Sequence, residues 1–135
     1  MAKSPKHRIS ILLIEDHHDV REILVEELRA EGWHVDVCTE GHTASKVIES
    51  DQHYDIIVTD NSLPFLTGVE LVELARQMAH RKGTPILMLS GDLCKAEALQ
   101  AGADAFLSKP TDVGRLVQTV LELINSPRHR VSATS

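Results

Sequence analysis

The sequence predicts one α/β domain, in which helices cover both faces of a doubly wound, five-stranded parallel sheet. Two observations predict this fold. Short apolar runs rich in β-branched residues alternate with segments of helical periodicity, and 135 residues suffice for a single buried core. Because strands that alternate with helices of ten or more residues pair in parallel through right-handed crossovers, we expect helices on both faces of the sheet.

Five runs carry the strand pattern. The first, residues 9–14, is apolar and ends at charged residues, as is typical of a strand buried on both faces. The other four have the same character and are residues 35–38, 55–59, 85–89 and 105–107. Together with the helical segments between them, these runs predict five βα units.

Helical segments separate the predicted strands, and each places apolar side chains on one face. Gly32 ends the first helix, Gly41 precedes the second, and residues 83–85, Gly-Thr-Pro, follow the third. The apolar faces are Val20, Ile23, Leu24 and Leu28, then Leu71, Leu74, Ala75 and Met78, and finally Val113, Leu116, Val117, Val120, Leu121 and Ile124.

The charge distribution argues against nucleic acid as a direct partner. Residues 9–125 carry all 20 acidic residues but only nine of the 14 basic ones, a net charge of −11. Nucleic-acid binding needs a basic face that neutralises phosphates. We therefore expect no nucleic-acid partner and instead a cation or a basic protein surface.

The sequence also predicts a cytoplasmic protein without a membrane partner. An apolar run such as residues 11–14 is far shorter than the ~20 residues that cross a bilayer, and the first eight residues lack the apolar stretch of a signal peptide. Cys38 and Cys94 have no CxxC spacing, so we expect buried, reduced thiols.

Polar residues follow four of the five predicted strands. Glu15 and Asp16 follow the first strand, Asp60 the third, Ser90 the fourth and Lys109 the fifth. The carboxyl ends of parallel strands lie along one edge of the sheet, where open α/β folds bind ligands. Because like charges repel at short range, a cluster of three carboxylates at this edge indicates function rather than stability.

These side chains suit a divalent cation and a phosphoryl group. Mg²⁺ takes carboxylate, water and phosphate oxygens as ligands. A carboxylate beside such an ion can attack phosphorus and form an acyl phosphate, which is the role we expect of Asp60. Lys109 would neutralise the phosphoryl oxygens, and the Ser90 hydroxyl would donate a hydrogen bond to one of them.

Residues 8–125 resemble the receiver domain of two-component response regulators. The resemblance rests on residues 11–16, Ile-Leu-Leu-Ile-Glu-Asp, on residues 60–64, Asp-Asn-Ser-Leu-Pro, with Gly68 beyond them, and on residues 89–91 and 102–110. It implies a flavodoxin-like receiver fold with strand order 2-1-3-4-5 and five helices. It also implies a domain over residues 8–125, between flexible tails at residues 1–7 and 126–135.

The resemblance implies specific roles at the acidic site. Asp60 would accept a phosphoryl group from a histidine kinase or a histidine phosphotransfer protein. Glu15, Asp16, Asp60 and the backbone carbonyl of Ser62 would hold Mg²⁺, for which Mn²⁺ could substitute. The Ser62 side chain and Asp92 occupy positions that tune the rate of phosphoryl loss in the family.

A switch is also implied by the resemblance. Ser90 and the aromatic ring of Phe106 would move inward on phosphorylation, changing the face made by the fourth helix, fifth strand and fifth helix. The peptide bond before Pro110 would be cis. Departures from the commonest family pattern are mild: Glu15 stands for Asp, Ser90 stands for Thr, and Asn61 is polar where an apolar residue is frequent.

We expect output through a protein contact, because the eleven residues after Ile124 are too few for a DNA-binding or catalytic output domain. The chain is thus predicted to be a stand-alone receiver, which either relays phosphoryl groups onward or binds a downstream protein directly. The stretch over residues 60–68 resembles receivers attached to hybrid kinases, which slightly favours signalling alongside such a kinase.

Three other functions remain open on the sequence alone. A receiver-like scaffold would act without phosphorylation. A flavin carrier of the same topology would need a hydroxyl- and glycine-rich phosphate loop, where this chain has Glu15 and Asp16. A Mg²⁺-dependent phosphohydrolase would place a second Asp at the position of Ser62. We therefore expect a phosphoacceptor regulator, limited to self-phosphorylation and self-dephosphorylation, rather than an enzyme with external substrates.

Overall fold

The computed structural model describes residues 7–126 and contains the predicted five-stranded parallel sheet. Its strand order is β2-β1-β3-β4-β5, and every adjacent pair is parallel, which confirms the predicted topology. The strands are β1 (Ser10–Ile14), β2 (His34–Cys38), β3 (Ile56–Thr59), β4 (Ile86–Ser90) and β5 (Ala105–Ser108). The tails expected at residues 1–7 and 126–135 lie outside the described residues, apart from His7 and Ser126.

Five α-helices connect and follow these strands within residues 7–126, as predicted. They are α1 (His18–Ala30), α2 (Gly41–Glu49), α3 (Gly68–Gln77), α4 (Lys95–Ala101) and α5 (Leu116–Ile124). The end of α3 and the start of α5 differ from the helix boundaries that the apolar periodicity predicts. Met78 lies just beyond α3, where its N–H bonds to the Ala75 carbonyl and tightens the last turn. Val113 belongs to a short 3₁₀ turn, because Gly114 disfavours α-helix at that point.

The helices cover the two faces of the sheet. Successive side chains of a strand point to opposite faces, so Leu12 and Ile14 of β1 pack with α2, α3 and α4, whereas Ile11 and Leu13 pack with α1 and α5. This arrangement leaves the carboxyl edge of the sheet open to solvent and to ligands.

Two further observations bear on the predicted environment of the chain. Cys38 and Cys94 are buried free thiols, as expected, and burial raises the pKa of both. Among residues 7–126, no helix is both long and apolar enough to cross a membrane.

Candidate functional site

Four strands bring their polar residues to the carboxyl edge of the sheet. Glu15 follows β1, Asp60 follows β3, Ser90 ends β4 and Lys109 follows β5. Backbone hydrogen bonds carry the strand ladder as far as these residues: the Asp60 N–H donates to the Ile14 carbonyl, and the Lys109 N–H donates to the Ser90 carbonyl, both at 3.0 Å. These backbone hydrogen bonds therefore fix the main chain at the site independently of the side-chain contacts.

Lys109 joins two carboxylates at the centre of the site. Its Nζ donates to Glu15 Oε1 at 2.7 Å and to Asp60 Oδ2 at 3.0 Å. Burial lowers the pKa of Lys109, but hydrogen bonds and attraction from the two carboxylates outweigh it and raise this pKa above its usual value. The ammonium is therefore charged at neutral pH.

Glu15 is the most enclosed of the acidic residues, with only 1% of its surface exposed. Burial raises the pKa of Glu15, and the negative charge of Asp60 adds to this effect, against the hydrogen bond from Lys109. The second carboxylate oxygen accepts the His17 N–H at 3.2 Å, so the side chain is held at both oxygens.

The three carboxylates lie close enough together to hold one metal ion. One oxygen each from Glu15, Asp16 and Asp60 lies within 4.8 Å of the others, and Asp16 is exposed, whereas Glu15 and Asp60 are buried. The Arg21 guanidinium donates to the backbone carbonyls of Glu15 and Asp16 and fixes the loop after β1. Hard oxygens with an opening to water on one side fit Mg²⁺, which binds few carboxylates and keeps several waters.

The carboxylate of Asp60 is oriented by the loop that follows it. Its Oδ1 accepts the Asn61 N–H at 2.6 Å and faces the Ser62 N–H at 3.4 Å, while Oδ2 faces Lys109. One oxygen is therefore held by backbone amides and the other by a cation, which fixes the plane of the carboxylate.

Asn61 has a role that its sequence position does not reveal. Its side-chain carbonyl accepts the Val69 N–H at 3.0 Å, and its amide donates to Asp92 Oδ2 at 3.2 Å. The Ser62 hydroxyl donates to the same Asp92 oxygen at 2.6 Å. Hydrogen bonds from Ser62 and Asn61 lower the pKa of Asp92. These contacts link the loop after β3 to the loop after β4 beside the site.

Ser90 and Phe106 lie on the same face of the sheet. Met88 is opposite Phe106 in the register of β4 and β5, and Ser90 is two residues beyond Met88, so side chains at all three positions share one face. Ser90 is buried, and its hydroxyl accepts the Asp92 N–H at 3.1 Å. Phe106 is half-buried against the cluster that contains Met88. The Lys109–Pro110 peptide bond is cis.

Gly68 is required where the loop after β3 turns into α3. A Cβ here would overlap the Asp60 carbonyl oxygen and lie 2.9 Å from Asn61 Cα. We expect Gly68→Ala to lower the free energy of unfolding by about 1–3 kcal/mol, the usual cost of overpacking. Chemical denaturation measures this change. Gly83→Ala is the matched control, since its Cβ would meet nothing within 4 Å, and an equal loss in both variants would contradict the assigned clash.

Fold and site together define a parallel α/β protein with an acidic, lysine-bridged site at the carboxyl edge of its sheet. Residues 11–121 match the family model of the response regulator receiver domain. The chain therefore belongs to the receiver domain family of two-component response regulators, which confirms the family predicted from its motifs. Receiver domains in general are phosphoacceptor regulators that partner with histidine kinases or phosphotransfer proteins.

Curated relatives contain this domain within longer proteins. The chain is 32% identical to the alkaline phosphatase synthesis transcriptional regulatory protein SphR of Synechococcus elongatus, over 98% of the chain and 54% of SphR. It is 29% identical to the sensory/regulatory protein RpfC of Xanthomonas campestris pv. campestris, over 91% of the chain and 18% of RpfC. The chain thus spans about half or less of these two relatives.

A solved receiver domain has the same fold. The receiver domain of the sensor histidine kinase PA1611 from Pseudomonas aeruginosa PAO1 superposes with a TM-score of 0.81 at 28% identity, over 89% of this chain and all of the other. That crystal structure has a magnesium ion coordinated in its active-site cleft.

Proposed function

We propose that residues 8–125 form a receiver domain that accepts a phosphoryl group on Asp60 in a Mg²⁺-dependent reaction. The observation that carries this proposal is the contact of Lys109 with Asp60, at 3.0 Å, inside a cluster of three carboxylates. A charged ammonium beside a fixed carboxylate is suited to a reaction that brings a phosphoryl anion to that carboxylate. The phosphoryl donor is proposed to be a histidine kinase or a histidine phosphotransfer protein.

The side chains divide the chemistry between them. A carboxylate oxygen of Asp60 would form a P–O bond as the P–N bond of a phosphohistidine donor breaks, and the electron pair would leave with the donor imidazole. Lys109 would pair with the transferred phosphoryl oxygens, and the Ser90 hydroxyl would donate to one of them. Mg²⁺, or Mn²⁺ in its place, would be held by Glu15, Asp16, Asp60 and the Ser62 carbonyl and would neutralise phosphoryl charge.

A Mg²⁺-dependent phosphorylation assay tests this proposal. Incubation with acetyl phosphate and Mg²⁺, followed by intact mass measurement, should give one acid-stable, base-labile phosphoryl adduct. Chelation of the metal should prevent it. If neither acetyl phosphate nor histidine kinases gave an adduct, the proposal would fail, and a scaffold that acts without phosphorylation would replace it.

We propose that the output of the domain lies on the surface formed by α4, β5 and α5. Leu99 of α4 and Leu121 of α5 expose 41% and 39% of their surface, and Leu93 before α4 is fully exposed. Exposed apolar side chains on neighbouring elements suit a downstream protein partner. The net negative charge speaks against nucleic acid as a partner, and the two free, buried thiols suit a reducing, cytoplasmic location.

Phe106 is proposed to transmit the change from Ser90 to this surface. An open surface depression of about 500 Å³ lies beside the ring and is lined in part by Asp92, Leu93, Lys95 and Phe106. We expect Phe106→Ala to be phosphorylated normally but to bind a downstream protein with nearly equal affinity in its two phosphorylation states. Affinity measured with and without phosphorylation checks this. An unchanged ratio of the two affinities would contradict the switch.

A further inference from the structure

A second cluster of metal-ligating side chains lies at the opposite edge of the sheet. His7 Nε2 is 2.8 Å from Asp55 Oδ2, and His53 Nε2 is 3.2 Å from Asp55 Oδ1. One ligand atom from each of the three residues lies within 4.8 Å of the others. The two imidazole rings meet edge to face, with centroids 5.5 Å apart. Two segments far apart in sequence, one before β1 and one before β3, thus present two imidazole nitrogens and a carboxylate to one point.

The Asp55 carboxylate is held in a fixed position at the centre of this cluster. Its Oδ2 accepts the Ser10 N–H at 2.8 Å, and its own N–H donates to the Ser10 carbonyl at 2.8 Å. Burial raises the pKa of Asp55, but the bonds from Ser10, His7 and His53 outweigh it and hold this pKa below its usual value. The carboxylate is therefore ionised and fixed at the point where β1 and β3 begin.

The two histidines leave the cluster open to solvent. Their side chains are 61% and 67% exposed, against 17% for Asp55. An ion held by these three ligands would keep the remaining coordination positions for water. Asp55 precedes β3 and Asp60 follows it, so the two carboxylates are about 16 Å apart at ~3.3 Å per residue, and the cluster shares no ligand with the acidic site.

We propose that His7, His53 and Asp55 form a surface site for a transition-metal dication, of which Zn²⁺ is the representative. Imidazole nitrogen suits Zn²⁺, Ni²⁺ and Cu²⁺, whereas Mg²⁺ requires oxygen ligands, so the two ends of the sheet select different ions. The ion would replace the two His–Asp hydrogen bonds by bonds of about 2.0–2.2 Å. It would connect the segment before β1 to the start of β3 and stabilise the folded chain.

Calorimetric titration of the whole chain with Zn²⁺ tests this site. Mg²⁺ is kept in large excess so that it occupies the acidic site and keeps Zn²⁺ binding there out of the measured stoichiometry. We expect one equivalent to bind, with a rise in Tm that follows the Zn²⁺ concentration. His7→Gln and His53→Gln should each weaken binding at least tenfold, as the loss of one of three ligands requires.

His34→Gln is the matched control, because His34 Nε2 contacts the Asp36 carboxylate at 2.9 Å without a second imidazole in that pair. It should bind Zn²⁺ as the unsubstituted chain does. Absence of a bound equivalent, or equal binding in all three variants, would overturn the proposal. Phosphorylation of Asp60 should be unchanged in His53→Gln, so a failure here is distinct from a failure of the phosphoacceptor role.

Ring resonances of the unsubstituted chain give a measurement that does not depend on how the variants fold. Nitrogen–proton correlation spectra of the histidine side chains should show that one equivalent of Zn²⁺ moves the signals of His7 and His53 through their Nε2 atoms. Movement of other histidine signals instead would place the ion elsewhere and overturn the proposal.

Discussion

Asp60→Asn is expected to abolish phosphoryl uptake while leaving the fold intact. An amide is a poor nucleophile and cannot form an acyl phosphate, so the adduct should fall to background. The side-chain oxygen of Asn can still accept the Asn61 N–H that Asp60 Oδ1 accepts at 2.6 Å. The substitution loses the 3.0 Å bond from Lys109 to Asp60 Oδ2 but relieves repulsion within the cluster of three carboxylates, so we expect the free energy of unfolding to stay within about 1 kcal/mol.

Intact mass measured with acetyl phosphate and Mg²⁺, together with thermal unfolding, checks both parts of this prediction. Asp19→Asn is the matched control, since Asp19 is a carboxylate on α1 whose side chain is 87% exposed. That variant should be phosphorylated as the unsubstituted chain is. An adduct of full yield on Asp60→Asn would show that another residue accepts the phosphoryl group.

Lys109→Met is expected to have the second largest effect, on phosphorylation and on stability together. Loss of a charge-stabilising donor in an active site typically costs ~10²–10³ in rate, and we expect a similar loss in the rate of phosphoryl uptake. The variant also loses the 2.7 Å bond from the ammonium to the buried Glu15 carboxylate. We therefore expect the free energy of unfolding to fall by about 1.5–3 kcal/mol, the range for a hydrogen bond to a charged group.

Lys109→Met should affect Mg²⁺ binding differently from phosphorylation. The variant site has one positive charge fewer beside its three carboxylates, so Mg²⁺ should bind at least as tightly as in the unsubstituted chain. Calorimetric titration with Mg²⁺ and single-turnover phosphorylation separate the two effects. Lys82→Met, at an exposed lysine remote from the site, controls for the loss of charge. A parallel loss of Mg²⁺ affinity and phosphorylation would contradict the assigned role of Lys109.

The convergence of the acidic residues was predictable from the sequence because it follows from topology. Once apolar runs alternate with helices, the strands are parallel, and every residue just after a strand lies at the same edge. Glu15, Asp60 and Lys109 therefore meet although Lys109 is 94 residues from Glu15 in the chain. Element boundaries were less predictable, because a local effect such as Gly114 decides where a helix starts.

Contacts between loops were not predictable, because they depend on side-chain orientation rather than on periodicity. In the sequence Asn61 stands out only as a departure from the family pattern, yet its side chain joins α3 to the loop after β4. Arg81 is an example in the core: its side chain is buried and donates to the Ile48 carbonyl near the end of α2. The pairing of His7 with His53 across Asp55 has no sequence signature, since 46 residues separate the two histidines.

Locating the phosphoryl group in the unsubstituted protein tests the phosphoacceptor role of Asp60 most directly. After incubation with acetyl phosphate and Mg²⁺, borohydride reduces an acyl phosphate to the corresponding alcohol, and peptide mass mapping identifies the modified residue. We predict a single modified position, Asp60, whose modification disappears when the metal is chelated. Modification of Glu15 or Asp16 in place of Asp60, or the absence of any reducible acyl phosphate with every donor, would contradict the proposed function.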